Sequence, residues 1–178
     1  KVMKKKKMEI RKENINDYSD VYNLNKATFE EDEEAKLVDL LRKSSAFIPE
    51  LSLVAIIDKK IVGHILFTKI KIIDDKGNKN ESLALAPMAV VPSLQKKGIG
   101  GQLIKTGLEK ARKLNFESVI VLGHEKYYPR FGFKPTKQWG ITAPWDVPTN
   151  VFMGIELVTD GFRNVKGIVQ YPKEFDEV

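Results

Sequence analysis

The alternation of apolar and polar residues divides the chain into short elements of two kinds. Met8-Glu9-Ile10-Arg11-Lys12 alternates with period two, as expected of a strand with one buried face. Asn16 or Asp17 can cap a following helix that carries Tyr18, Val21, Tyr22, Leu24 and Asn25. Glu30 to Glu34 then places negative charge in the first turn of a second helix, whose apolar residues are Leu37, Val38, Leu40 and Leu41. Leu51 to Ile57 and Ile61 to Ile73 are β-rich runs joined as a hairpin through Asp58, Lys59 and Lys60, and Asp74 to Asn78 turns the chain again. Leu83 to Val91 is the next strand. Pro87 falls inside it and has no N–H for a sheet ladder, so a bulge or a break in pairing is expected there. From Ile99 to about Leu114 the spacing becomes helical, with Ile99, Leu103, Leu108, Ala111 and Leu114 toward a sheet and Lys105, Glu109, Lys110 and Lys113 toward water. Val119 to Leu122 is a short buried strand, strands near Phe133 and over Val151 to Val158 extend the sheet, and Gly167 to Tyr171 is a last addition. No internal repeat or long linker divides the chain.

Composition narrows the picture. At 178 residues, 42% hydrophobic and 30% charged, the chain can bury one core, and a single domain over residues 8–178 is expected. The formal charge of +6 is concentrated in the first seven residues, where Lys1, Lys4, Lys5, Lys6 and Lys7 supply five of it. Those residues read as a disordered tail or an expression remnant. The body is nearly neutral, so no nucleic-acid partner is expected. Cysteine is absent, which removes disulfides, thiolate metal sites and a cysteine nucleophile. His64 and His124 are far apart in sequence and no HExxH pattern occurs, so no metal is expected. No apolar run approaches the roughly 18 residues of a membrane span, and the lysine cluster lacks a following signal-peptide core; a cytoplasmic protein with no membrane partner is the expectation.

The stretch richest in candidate chemistry is Val90-Val91-Pro92-Ser93-Leu94-Gln95-Lys96-Lys97-Gly98-Ile99-Gly100-Gly101-Gln102. An apolar strand ends at a proline, turns through a cationic glycine-rich loop and opens a helix. A helix N-terminus leaves backbone N–H groups without partners, and its dipole favours negative charge. Gly98 and Gly100 let a pyrophosphate approach that backbone closely, while Lys96 and Lys97 add mobile positive charge. A Walker loop is excluded, since no Gly-x-x-x-x-Gly-Lys-Ser/Thr occurs. A dinucleotide fingerprint would need glycine where Leu103 stands.

What remains, Gln-x-x-Gly-x-Gly after a strand ending Val-x-Pro, resembles the acetyl-CoA loop of the GNAT superfamily of N-acetyltransferases, with Gln95, Lys97, Gly98 and Gly100 carrying the match. Tyr128 to Phe133 adds the superfamily's Tyr-x-x-x-Gly-Phe spacing. The resemblance continues through Pro144 to Pro148, Phe152-Met153 and Gly167 to Tyr171, segments shared with a bacterial subgroup of predicted acetyltransferases. It implies an α/β (α+β) fold with a mixed, mostly antiparallel central sheet flanked by helices and splayed at the cofactor-binding strand. It also implies acetyl-CoA as acetyl donor, bound by Met88, Ala89 and Val90 along the strand and by Gln95, Lys96, Lys97, Gly98, Ile99, Gly100, Gly101 and Gln102 in the loop and helix start.

Acyl transfer to an amine needs oxyanion stabilisation, a proton for the departing thiolate and a neutral nucleophile. The resemblance implies an oxyanion donor within Met88 to Val90 and Tyr128 as general acid, with Tyr127 as the adjacent competitor. No carboxylate lies between Leu83 and Val91, so a general base on that strand is missing. Glu125, His124, His64, Glu30 and a water relay stay open for that role, and Phe29, Trp139 and Trp145 are candidates to line an acceptor pocket. The acceptor is a small-molecule amine or a protein amine, and the sequence does not choose between them. Strands exposed near the C-terminus would let two copies pair as a homodimer. A non-catalytic sensor of CoA or acyl-CoA would use the same loop without needing the tyrosine.

Overall fold

The computed structural model describes residues 6–178, so residues 1–5 of the tail expected over residues 1–7 lie outside the described residues, while Lys6 pairs with Asp58 at 2.8 Å. Strand β1 (Met8–Lys12) leads through a short 3-10 turn into helix α1 (Tyr18–Phe29), and α2 (Glu33–Arg42) follows. The capping differs from the sequence expectation. Asn14 caps the 3-10 turn, accepting from the Asn16 N–H at 3.0 Å, while Asp17 is turned inward to a bidentate pair with Arg11 at 2.6 and 3.0 Å. Of the acidic run, Glu33 and Glu34 occupy the first turn of α2, and Glu30 ends α1 in the left-handed conformation.

Strands β2 (Phe47–Ile57) and β3 (Lys60–Ile73) form the hairpin, closed by Asp58 and Lys59 at φ 50° and 65°. Two successive positive φ values give the primed turn whose twist suits paired strands. Strand β4 (Lys79–Val90) begins earlier than its apolar pattern, because its polar start at Lys79 to Glu81 still pairs with Ile73 to Lys71. Pro87 stays inside β4, and the β3–β4 register slips between Ile65 and Phe67, the expected bulge.

Helix α3 (Ile99–Lys113) crosses the sheet on one face, followed by β5 (Ser118–Leu122), β6 (Lys134–Pro135), β7 (Ile141–Thr142), β8 (Phe152–Glu156) and β9 (Gly167–Gln170). The sheet runs β1-β2-β3-β4-β5-β8-β6, with β9 beside the far end of β3 and β7 beside β9. All pairings are antiparallel except β4–β5 and β7–β9. One core lies between α3 and the sheet, around Phe67, Leu85, Leu103 and Val121, and another between α1, α2 and the opposite face, around Val21, Leu41, Val54 and Leu66. Leu114, expected in the buried stripe of α3, follows the helix end and is 40% exposed; Ile104 takes a fully buried place instead.

Close approach of α3 to the sheet depends on Gly107. A Cβ there would overlap the buried Phe67 ring. We expect Gly107→Ala to destabilise the protein by about 1–3 kcal/mol, an overpacking cost that outweighs alanine's helix preference of about 1 kcal/mol. Thermal unfolding should show a clear drop in Tm, and an unchanged or raised Tm would contradict the packing.

The α1/α2 side holds a buried polar network. Arg42 grips Glu13 with two bonds of 2.9 Å, and the Ser52 hydroxyl lies 2.9 Å from His64 Nε2. Burial, and secondarily Arg42, push the His64 imidazole down to about 4, against the opposing pull of Glu13. Burial alone would raise the Glu13 carboxyl, but bonds from Arg42 and Ser52 and the charge of Arg42 hold it below its ordinary value. The unfolded chain therefore binds a proton at His64 that the native state refuses between about pH 6.5 and 4. Stability should fall as pH is lowered through that window, by up to roughly 3 kcal/mol from His64. His64→Gln should flatten the dependence of Tm on pH there; an equally steep slope in the variant would assign it elsewhere.

Candidate active site

Strands β4 and β5 pair in parallel only at Leu83–Val119 and Ala84–Ile120, then part. Beyond Ala84, β4 keeps β3 on one edge and, among the described residues, has no strand on the other. The alternation of main-chain groups decides which of them face the gap. Val91 N–H donates to Val62 C=O at 2.9 Å, which turns Ala89 toward β3 and leaves the N–H and C=O of Met88 and Val90 facing outward. Val90 C=O confirms the direction, accepting from Gln95 Nε2 at 3.2 Å and from the Thr28 hydroxyl at 3.3 Å.

The gap opens into a cleft of about 870 Å³. The start of α3 stands at its wall. Gly98 occupies the N-cap position at φ 88°, a left-handed conformation that glycine adopts freely, and no side chain caps the helix. The first intrahelical bond shown here runs from Gln102 N–H to Gly98 C=O, so the N–H groups of Ile99, Gly100 and Gly101 have no partner one turn back. The first turn contains no acidic residue. Lys96, Lys105 and Arg130 line the cleft and, among the described residues, no carboxylate does, so it is built for an anion.

Of the residues expected from sequence, Met88, Val90, Gln95, Lys96, Gly98, Ile99, Gly100, Gly101 and Gln102 line this cleft. Ala89 does not: its main chain pairs with His64, and its side chain is buried on the α1 side. Lys97 is exposed but is not part of the wall. Tyr128 is also off the wall. Its ring packs edge-on against Phe133 and Tyr127 and is 8% exposed. The cleft-lining tyrosine is Tyr127, whose hydroxyl would lie 3.0 Å from a Cβ placed on Gly100. Burial, with the neighbouring Tyr127, pushes the Tyr128 phenol up to about 12.

Of the sequence's base candidates, His124 lines the cleft, whereas His64 is fully buried. Thr28, Lys105 and Arg130 were missed by sequence reasoning, since nothing in their local spacing sets them apart. The arginine one helical turn after Tyr127 is the nearest to a signal. Among the described residues no cluster of three His, Cys, Asp or Glu could hold a metal, and no helix is long and apolar enough to cross a membrane.

Comparison with known proteins agrees with this geometry. Residues 18–133 match the model of the acetyltransferase (GNAT) family. The chain is 42% identical over 135 residues to YjhQ of Escherichia coli K12, named an uncharacterized N-acetyltransferase, a match covering 74% of this chain and 73% of that protein. Among solved structures, the GNAT N-acetyltransferase YhbS of E. coli in complex with CoA superimposes with a TM-score of 0.89 at 28% identity, covering 99% of this chain and 96% of the other. A GNAT acetyltransferase of Brucella melitensis in complex with acetyl-CoA gives a TM-score of 0.78 at 31% identity, covering 97% and 100%. An uncapped glycine helix start beside a splayed strand, the family model and these relatives lead to one conclusion: the chain belongs to the GNAT family of N-acetyltransferases.

Proposed function

We propose that this acyltransferase moves acetyl from acetyl-CoA to a primary amine by direct attack. The observation that carries the reading is the uncapped Gly98–Gly101 helix start beside the unpaired edge of β4, in a cleft without carboxylates. CoA and acetyl-CoA in the two related structures support the choice of donor. The diphosphate would lie against the N–H groups of Ile99 to Gly101, with Lys96 beside it, and the pantetheine arm would pair with Met88 and Val90.

An outward N–H of β4 would polarise the thioester carbonyl, a preorganised donor of the kind that stabilises oxyanions. The amine lone pair forms the new C–N bond, the C–S bond breaks, and the thiolate takes a proton from Tyr128. Tyr128 keeps the family spacing to Gly132 and Phe133, and its high affinity for its proton leaves it in the donor form at neutral pH. Tyr127 is a second reading, favoured by its place on the cleft wall. The amine's surplus proton passes to water or His124, and Tyr128 regains its own from water, so that one proton in all moves from amine to thiol. Glu30 to Glu34 follows Thr28 at the cleft, and that negative charge suits an acceptor that arrives as a cation.

A panel of small amines and peptide amines, followed by thiol release, tests the reaction. CoA binding without amine-dependent turnover would replace it with the sensor reading. Binding itself has a simpler readout. At about 100 times Kd, CoA should stabilise the native state by ~2.7 kcal/mol and raise Tm by roughly 5–10 °C, with much smaller effects from NAD and ATP. Equal shifts for all three would mean that the cleft is a general anion site.

A further inference from the structure

His64 and Asn25 are both fully buried, and each has one polar atom without a hydrogen-bond partner, Nδ1 of the imidazole and Oδ1 of the amide. Buried polar atoms are normally satisfied, and among the described residues only Thr68 Oγ1, four residues further along β3 than His64, shares this state, so the two require an explanation. The chemical character of each can be fixed. Asn25 Nδ2 donates to Val21 C=O at 3.0 Å, so its other terminal atom is the oxygen, an acceptor. Beside His64, the ionised Glu13 carboxylate is held by Arg42 at 2.9 Å. The Ser52 hydroxyl, 2.9 Å from Nε2, can serve as its acceptor. The Glu13 carboxylate, 4.0 Å from Nε2, favours the tautomer with the hydrogen on Nε2. Nδ1 is left as a bare lone pair.

Both acceptors belong to the same neighbourhood. His64 pairs with Ala89 of β4, and directly opposed side chains share a face with Cβ atoms about 5 Å apart. On α1, Val21, Asn25 and Thr28 form one stripe. Val21 belongs to the cluster with Val54, the β2 partner of His64, and Thr28 bonds to Val90, next to Ala89. Asn25 lies between them on the helix and therefore above the His64–Ala89 pair. Ala89 is flanked by Met88 and Val90, whose main-chain groups face the cleft.

We propose that His64 Nδ1 and Asn25 Oδ1 form a buried two-acceptor site, beside the cofactor strand and on the α1 side, that takes a small hydrogen-bond donor. The donor is either an ordered water or the N–H of the acceptor amine. Only the second source rests on the acetyl-transfer reading. His64 acts here as a positioning residue and not as a proton sink, because its imidazole is neutral well below physiological pH. The charged groups that face it are Glu13 and Arg42.

The tautomer is tested on the unaltered protein by ¹⁵N NMR of the histidine side chains. His64 should show a protonated Nε2 and an unprotonated Nδ1 at neutral pH; a protonated Nδ1 would overturn the site, whatever the protein's activity. Asn25→Leu then identifies the donor. If the donor is the amine, KM for the amine should rise about tenfold, with acetyl-CoA affinity and Tm unchanged. If it is water, KM should hold while Tm falls and an ordered water at Nδ1 in a high-resolution crystal structure is lost from the variant. A variant unchanged in both KM and Tm, with no ordered water in the parent, would refute the proposal.

Discussion

Gly100→Glu should abolish CoA binding and leave a folded protein. Gly100 stands in the uncapped first turn of α3 and on the wall of the cleft. Its backbone does not need glycine's left-handed freedom, and the nearest obstacle to a Cβ is the end of the Tyr127 side chain at 3.0 Å, which can turn aside. A carboxylate in a first helical turn even complements the dipole, so the fold has no reason to weaken. Binding is another matter. A negative charge about 4 Å from a phosphate costs roughly 4 kcal/mol at an effective dielectric of ~20, before any loss of backbone approach. That is about 10³-fold in Kd. Calorimetry and circular dichroism together decide it, and undiminished affinity in a folded variant would make the loop purely structural.

Tyr128→Phe carries the second large effect. The ring is packed against Phe133 and Tyr127, so phenylalanine preserves the packing and removes only the hydroxyl. If that hydroxyl protonates the thiolate, kcat should fall by about 10²-fold or more with acetyl-CoA affinity nearly unchanged, and Tyr127→Phe should be milder. The reverse pattern, a large loss only at Tyr127, would move the role to the ring that lines the cleft. Small and equal losses would leave solvent as the proton source.

The sequence was informative where local chemistry decides structure. The glycine loop, the helical stripe from Ile99 and the strand at Val119 depend on neighbours within a turn or two, and α3 and β5 follow them closely. The splay of the sheet was foreshadowed by Pro87, a residue whose missing N–H affects pairing wherever it stands. Side-chain direction was less legible. Tyr127 and Tyr128 are adjacent and chemically identical in sequence, and only the 3-10 turn at Tyr128–Phe131 places one ring on the cleft and the other in the core. The network of Glu13, Arg42, Ser52 and His64 unites the loop after β1 with α2, β2 and β3, so no spacing could announce it. For the same reason Arg130 and Lys105 join the cleft only once the 3-10 turn and α3 are packed together.

The central claim is acetyl transfer from acetyl-CoA to an amine, and the most direct test follows both halves of the reaction in one vessel. Purified protein is mixed with acetyl-CoA and each member of an amine panel, free CoA thiol is measured continuously, and the amine is weighed by mass spectrometry. The account predicts that at least one primary amine accelerates thiol release and gains one acetyl group per thiol formed, and that Gly100→Glu removes both signals together. Thiol release that no amine accelerates, or an amine that is acetylated equally fast by the Gly100→Glu variant, would contradict it.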